Sequence, residues 1–419
     1  MFIGKNVAGF DIEVAGFDTE NVNCLIKRER DMQLIEVLDK ETARAFIDIN
    51  EALNGENPKY IRPLDKDVEE VFDPLRNKSF RHGQCVRWLL QDDNGKYIGR
   101  IAAFVNRKYK NKGDEQPTGG MGFFDCIDRQ DAADMLLNAA TEWLRAKGME
   151  AMDGPINFGE RDRWWGLITQ GFHEPLYGMN FNPPYYKALL ENYGFKPFFD
   201  QICFSMKVKA PLQEKFYKRH AELSKEPGIS ARHFRKDQLD RYAADFVSIY
   251  NKAWKSHGGG KDLHRDQARA MFQKMKPVLD ERLIWFAYHY DEPIACWINL
   301  PELNQYFRYF HGRLGWWEKI RYVWLKWRGA CTKFTGLVFG VIPEWQGRGV
   351  DTYLIMEGAK VVRTPEAPYE DYEMQWIGDF NPKMINVAES LGTYRSRVLT
   401  TYRFLFDPSK TFRRHPILD

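Results

Sequence analysis

A chain of 419 residues with 61 lysines and arginines against 58 aspartates and glutamates has a formal net charge of +3, too balanced for a protein that binds nucleic acid through its overall field. With 44% hydrophobic and 28% charged residues it has the make-up of a globular protein and the length for two cored domains. The six cysteines (Cys24, Cys85, Cys126, Cys203, Cys296, Cys331) stand far apart with no CxxC and no Cys/His cluster, which predicts a reduced, cytoplasmic, metal-free protein.

The opening "MFIGKNVAGFDIEVAGF" lacks the basic segment, apolar stretch and cleavage site of a secretory leader, and no apolar run reaches the ~20 residues of a spanning helix. Residues 1–26 read as an arm, and the charged run Lys27 to Asp31 precedes the first regular segment. "VRWLLQDDNGKYIGRIAAFVN" (Val86 to Asn106) is a hairpin around an Asp-Asn-Gly turn. "GMGFFDCI" is a third strand, and "RQDAADMLLNAATEWLRAKG" is a helix with Ala133, Leu136, Leu137, Ala140, Trp143 and Leu144 on one stripe. "NPPYYKALLENYGF" from Asn182 has an Asn-Pro start and a glycine stop, the signature of a capped helix. The polar stretch Ala210 to Gly228 ends in Pro-Gly and reads as a joint.

The order then repeats. After "ISARHF" and a helix over Leu239 to Trp254, "RLIWFAYHYDEPIACWINL" is a second hairpin, and Ile294 matches Ile98 at an offset of 294 − 98 = 196. "TGLVFGVI" and "GVDTYLIMEGAKVVR" repeat the strand and helix, and "NPKMINVAESLGTY" from Asn381 repeats the Asn-Pro helix at 381 − 182 = 199. Two features at nearly one offset mark a duplication, giving a first domain over 27–209, the joint over 210–228, a second domain over 229–410 and a tail over 411–419.

With "VIPEWQGRGVDTYLI", "EMQWIGDFNPKM" and "LGTYRSRVLTTYRFLF" in that order, Ile229 to Phe406 resembles the GNAT superfamily of acyl-CoA-dependent N-acyltransferases, and the first half resembles a degenerate copy. The resemblance implies an α/β (mixed α+β) fold of two tandem GNAT-like domains, each a mostly antiparallel mixed sheet flanked by helices. It implies transfer of an acyl group from a CoA thioester, acetyl-CoA first among them, to the amine of a small molecule or peptide. It places the pantetheine arm on Val341 and Ile342, the pyrophosphate on Gln346, Gly347, Arg348, Gly349 and the position of Asp351, and Asn381 with the same set. Glu373 would be the base and Tyr394 the proton donor, with Tyr402 competing for that role.

Asp351 opposes this assignment. It stands where the family carries Gly or Ala, and two unit charges about 4 Å apart repel by ~1 kcal/mol in water or ~4 kcal/mol at an effective dielectric of about 20. Either the carboxylate points away from a bound diphosphate, or it satisfies the helix N-terminus itself in a chain that kept the fold as an inert binding or scaffold protein. Between "GFFDCI" and "AADMLLNAA" the first half has only "DRQD", with no glycine, so no phosphate cradle is expected there. The scattered His233, His257, His264, His289 and His311 have no partners at ligand spacing, and "HGGGKD" from His257 reads as a helix exit.

One segment has no counterpart in the first half. In "GWWEKIRYVWLKWR", Trp316, Ile320, Val323, Trp324 and Trp327 share a helical face flanked by Lys319, Arg321, Lys326 and Arg328. Three roles fit Trp316 to Arg328: a peripheral membrane contact, a roof over an acceptor cleft, or an amphipathic helix packed on the other domain.

Overall fold

A computed structural model describes residues 32–159, 161–254 and 262–417. The arm over 1–26, Lys27 to Asp31, and the "HGGGKD" run as far as residue 261 lie outside the described residues. The first half opens with β1 (Met32–Glu36), α1 (Lys40–Asn54) and α2 (Asp65–Phe72). Asp39 starts α1 by accepting from the Thr42 N–H at 2.8 Å, and Thr42 returns a bond to the Asp39 backbone. The hairpin β2 (Gly83–Asp92) and β3 (Tyr97–Asn106) follows, then β4 (Thr118–Cys126), α3 (Gln130–Ala146), β5 (Ala151–Gly154), β6 (Leu167–Gln170), α4 (Tyr186–Tyr193) and β7 (Lys196–Lys207).

A short helix α5 (Glu214–Leu223) lies inside the stretch expected as a polar joint, held by Leu212 and Phe216 against the second half. The second half runs β8 (Ile229–His233), α6 (Leu239–Trp254), α7 (Arg265–Met275), β9 (Ile284–His289), β10 (Glu292–Pro301), α8 (Asn304–Phe307), α9 (Trp316–Trp327) and β11 (Lys333–Val341). It closes with α10 (Val350–Val362), β12 (Asp371–Met374), β13 (Ile377–Gly378), α11 (Pro382–Ser390) and β14 (Tyr394–Leu405).

The strands form one sheet in the order β1-β2-β3-β4-β5-β14-β7-β12-β11-β10-β9-β8, with β6 on β14 and β13 on β7. The last strands of the two halves are exchanged: β14 pairs with β5 (Tyr402↔Gly154), and β7 pairs with β12 (Tyr372↔Met206). The exchanged strands pair with each other at the centre, antiparallel, with Val398↔Ile202 and Leu399↔Gln201. The first half packs its sheet between α3/α4 on one face, around Leu136, Leu137 and Tyr186, and α1/α2 on the other, around Phe46, Phe104 and Phe158. Residues of α6, α7 and α10 build the second core with Phe246, Phe272 and Leu354.

The two Asn-Pro starts part ways. Asn381 caps α11, accepting from the Met384 N–H at 3.2 Å. Asn182 does not cap α4, which begins after Tyr185 with no side-chain cap; its amide instead pairs with both backbone groups of Ile168 on β6, at 2.8 and 3.1 Å. A buried asparagine satisfies itself on the nearest free backbone, and the second proline moves the helix start beyond its reach.

Candidate functional site

Both halves carry an irregularity in their fourth strand. On β11, Gly336 faces Asn299 and Val338 faces Ile298, so Leu337 is an extra residue. On β4, Gly122 faces Ala102 and Asp125 faces Arg100, with Phe123 bulged at φ +50°. At the bulge the parallel neighbour departs. β12 pairs with β11 only over Lys333 to Gly336, the Gln375 N–H closes on Gly336 O at 3.1 Å, and the chain then turns to β7. From Leu337 onward β11 bonds to β10 alone, which leaves Leu337 half-exposed beside an open strand edge.

Of the expected donor-site residues, Val341, Ile342, Gln346, Gly347, Arg348, Gly349 and Asp351 fall along this edge and at its end, while Asn381 caps α11. Ile342 donates its N–H to Ile294 O at 3.0 Å, so that donor is already taken by the β10 ladder. The alternation of an antiparallel pair then turns the backbone groups of Val341, and of Phe339 before it, toward the open side. Gln346 bonds back to Val341 O through its side chain at 3.0 Å and so folds the turn onto the strand. Gly347 and Gly349 have φ +74° and +86°, left-handed values that glycine reaches without strain, and nothing lies within 4 Å of a Cβ built on Gly347. Gly349 is the N-cap of α10, so the free N–H groups of the first turn and the positive end of the helix dipole face this open space. Arg348 stacks over Trp345 at 5.1 Å, and Arg219 of α5 approaches Gly349. Asp351 lies in the same first turn; among the described residues its carboxylate caps nothing and pairs with no cation.

The first half closes the corresponding edge with its own side chains. At Cys126, the last residue of β4, the Tyr186 hydroxyl accepts from the backbone N–H at 3.0 Å and the Tyr185 hydroxyl donates to the carbonyl at 2.7 Å. Both tyrosines come from the "NPPYY" run, and they occupy the backbone groups that an extended ligand would need.

Glu373 and Tyr394, the expected base and acid, stand in unlike surroundings. Glu373 on β12 is 1% exposed; Oε1 accepts from Arg397 at 2.9 Å and Ser396 at 3.1 Å, and Oε2 from Lys333 at 3.0 Å. Burial works to raise its pKa, but Arg397 and Lys333 hold the carboxyl below the usual carboxylate range. A carboxylate so engaged is a poor base, and the geometry makes it an anchor for the second half against β14. Tyr394 opens β14 opposite Ser205 with 59% of its surface exposed. Its competitor Tyr402 is buried in the first core, with its hydroxyl 3.0 Å from Glu191.

Sequence reasoning passed over two groups at the junction, half-buried His173 and buried Glu302. His173 presents Nδ1 to Arg397 at 2.6 Å and Nε2 to Ser396 O at 3.1 Å; burial, with Arg397 beside it, lowers its pKa. Glu302, at the end of β10, is 3% exposed, and one oxygen, Oε1, accepts from both the Tyr177 and Asn304 N–H groups, at 2.8 and 3.0 Å. Burial pushes its carboxyl up to about 7 despite those bonds. The one visible signal was a carboxylate inside the apolar run "INLPELNQYF". Because the folded pKa exceeds the unfolded value of about 4.3, the folded chain binds more protons between about pH 4 and 7, and stability falls as pH rises through that window. Glu302→Gln keeps the shared acceptor and cannot ionise. Urea unfolding should show it about 3 kcal/mol more stable than wild type at pH 8 and level with it near pH 4, whereas an equal gain at both would refute the assignment.

Among the described residues no group of His, Cys, Asp or Glu side chains is placed to hold a metal ion, and no helix is long and apolar enough to cross a membrane.

No family model matches the chain. It is 25% identical over 379 residues to the bacterial ceramide synthase of Caulobacter vibrioides (strain NA1000 / CB15N), covering 87% of this chain and 96% of that protein. It is 24% identical over 363 residues to protein YghO of Escherichia coli K12, covering 85% and 90%. A tandem GNAT protein from the clavulanic acid biosynthesis pathway superposes with a TM-score of 0.52 at 14% identity, over 91% of this chain and 100% of that one. The glucosamine N-acetyltransferase region of a fungal multi-domain β-N-acetylglucosaminidase gives 0.51 at 12% identity, over 89% of this chain and 38% of that one. A duplicated strand–turn–helix unit, one sheet shared through exchanged strands, and a superposition along the full length of a two-copy protein together give this chain the tandem GNAT fold.

Proposed function

We propose that the protein is an acyl-CoA-dependent N-acyltransferase that binds its donor in the second half. The observation that carries this reading is the bulged edge Leu337 to Val341, open on one side and running straight into the Gly347–Gly349 turn at the start of α10. An extended pantetheine could pair with the Val341 N–H and the backbone groups of Phe339, the Val341 carbonyl being held by Gln346. The diphosphate would then meet the first-turn N–H groups with Arg348 and Arg219 close by, and the empty space over Gly347 fits it. Tyr394, exposed at the start of β14, is the candidate acid for the departing thiolate, while Glu373 acts only by holding β12 to β14. The amine on the acceptor attacks the thioester carbonyl, the amide forms as the C–S bond breaks, the amine proton passes to solvent, and Tyr394 protonates the CoA thiolate and regains its proton from solvent.

The acceptor we propose is a long-chain amine. The full-length similarity to a protein named ceramide synthase supports that class, ceramide being an N-acylated long-chain amino alcohol. The test is calorimetric titration with acyl-CoAs of rising chain length, followed by thiol release on adding a long-chain amine. Binding and amine-dependent thiol release are expected; no heat and no melting shift with any acyl-CoA would favour an inert protein that kept the fold.

A further inference from the structure

The helix α9 has its apolar stripe turned away from the protein. Trp316, Trp317, Ile320, Val323, Trp324 and Trp327 are exposed, Trp327 by 82%. At 100° per residue they occupy an arc of about 120°. The opposite side of the helix holds it to the fold: Leu325 is its one buried residue, and Tyr322 packs edge-on to Tyr306 at 5.0 Å. Packing on the other domain, one of the three roles the sequence allowed, is therefore not what the stripe does.

The charges are arranged around that stripe. Lys319 lies along one border and Arg321 and Arg328 along the other, by the same 100° count, while half-buried Lys326, next to Lys319, turns back to donate to Pro277 O at 3.0 Å. Lys319 sits over the Trp316 ring at 5.3 Å and Arg328 over Trp324 at 4.9 Å, so cation and ring reach the surface together. The helix has one acidic residue, Glu318, and its carboxylate accepts from the Gly315 N–H at 2.8 Å. Exposed Tyr309 and Leu314 extend the patch into the preceding loop.

We infer that α9 is a membrane-docking surface that lies in the plane of an anionic bilayer, with its tryptophans at headgroup depth and the exposed cations Lys319, Arg321 and Arg328 on lipid phosphates. A convex apolar stripe bordered by cations on both sides matches a lipid surface, which closes around a ridge and offers negative charge along both flanks. The contact stands whether or not the second half binds acyl-CoA, because no residue of the donor site belongs to it.

Sedimentation of the full chain with vesicles tests it. Wild type should partition onto vesicles containing phosphatidylglycerol at low salt, more weakly at high salt, and poorly onto pure phosphatidylcholine. Trp316→Ala, Trp317→Ala and Trp327→Ala combined should lower that partitioning at least tenfold. Lys319→Glu with Arg328→Glu should lower it about 25-fold, at about 1 kcal/mol or fivefold for each basic residue. Unchanged circular dichroism and melting would show both variants folded, as substitutions of exposed side chains predict. Wild type that ignores the anionic vesicles, or a tryptophan variant that binds them equally well, would overturn the proposal. So would lipid-free self-association abolished by the tryptophan substitutions, which would assign the face to a second copy of the chain.

Discussion

Arg403→Met is expected to destabilise the protein by about 3–5 kcal/mol, the range for leaving a buried charge without its partner. The guanidinium reaches from β14 into the first half, donating to Asp153 at 2.6 and 2.8 Å. It also lies 2.8 Å from Asp114 as a charge contact without hydrogen-bond alignment, and it stacks on Phe198 at 3.7 Å. Asp153 is fully buried, so its charge has no route to water once Arg403 is gone; Tyr109 and Asn111 also donate to it but are neutral. Adding Asp153→Asn to the variant should recover part of the loss by removing the stranded charge. Urea unfolding decides: a loss below about 1 kcal/mol would mean that the pair is no more than a surface bridge. A domain's whole stability is about 5–15 kcal/mol, so this one contact carries a large share of the margin.

The second large effect concerns the turn before α10. Gly349→Asp puts a side chain at φ +86° and a negative charge among the N–H groups proposed for the diphosphate. Backbone strain of roughly 1–2 kcal/mol and a repulsion approaching ~4 kcal/mol should weaken acyl-CoA binding more than about 100-fold. Gly349→Asn carries similar strain without the charge, so the difference between the variants isolates electrostatics from backbone. Asp351→Asn should act in the opposite direction and tighten binding by up to about tenfold, because it removes a like charge from the same helix turn. Equal affinities in wild type and all three variants would move the donor site elsewhere.

How much of this was legible in the sequence depends on the kind of force involved. Helical periodicity located α3 and α6 closely, since a stripe such as Leu136, Leu137, Ala140 and Leu144 is buried only if the chain is helical there. The Gly347–Gly349 turn was readable because a left-handed backbone narrows the residue choice. Strand exchange was not readable: β7 and β14 would look the same whichever half they joined, because alternation specifies a face and not a partner. The orientation of α9 was hidden for a similar reason, since an apolar stripe says that one side differs from the other without saying which is wet. The ion pairs of Glu373 were hidden as well, because its partners Arg397 and Lys333 lie far off along the chain and meet it only through the sheet.

The exchange of last strands also sets a timetable for synthesis. The first half emerges from the ribosome complete except for the strand that covers β5, and that strand spans Tyr394–Leu405, far along the chain. While nearly two hundred further residues are added, at a typical ~5–20 residues per second, the β5 edge stands open to any strand that can pair with it. The sheet of the first half therefore closes only when β14 is threaded beside β5, and a nascent chain stalled before Tyr394 should be a client for chaperones.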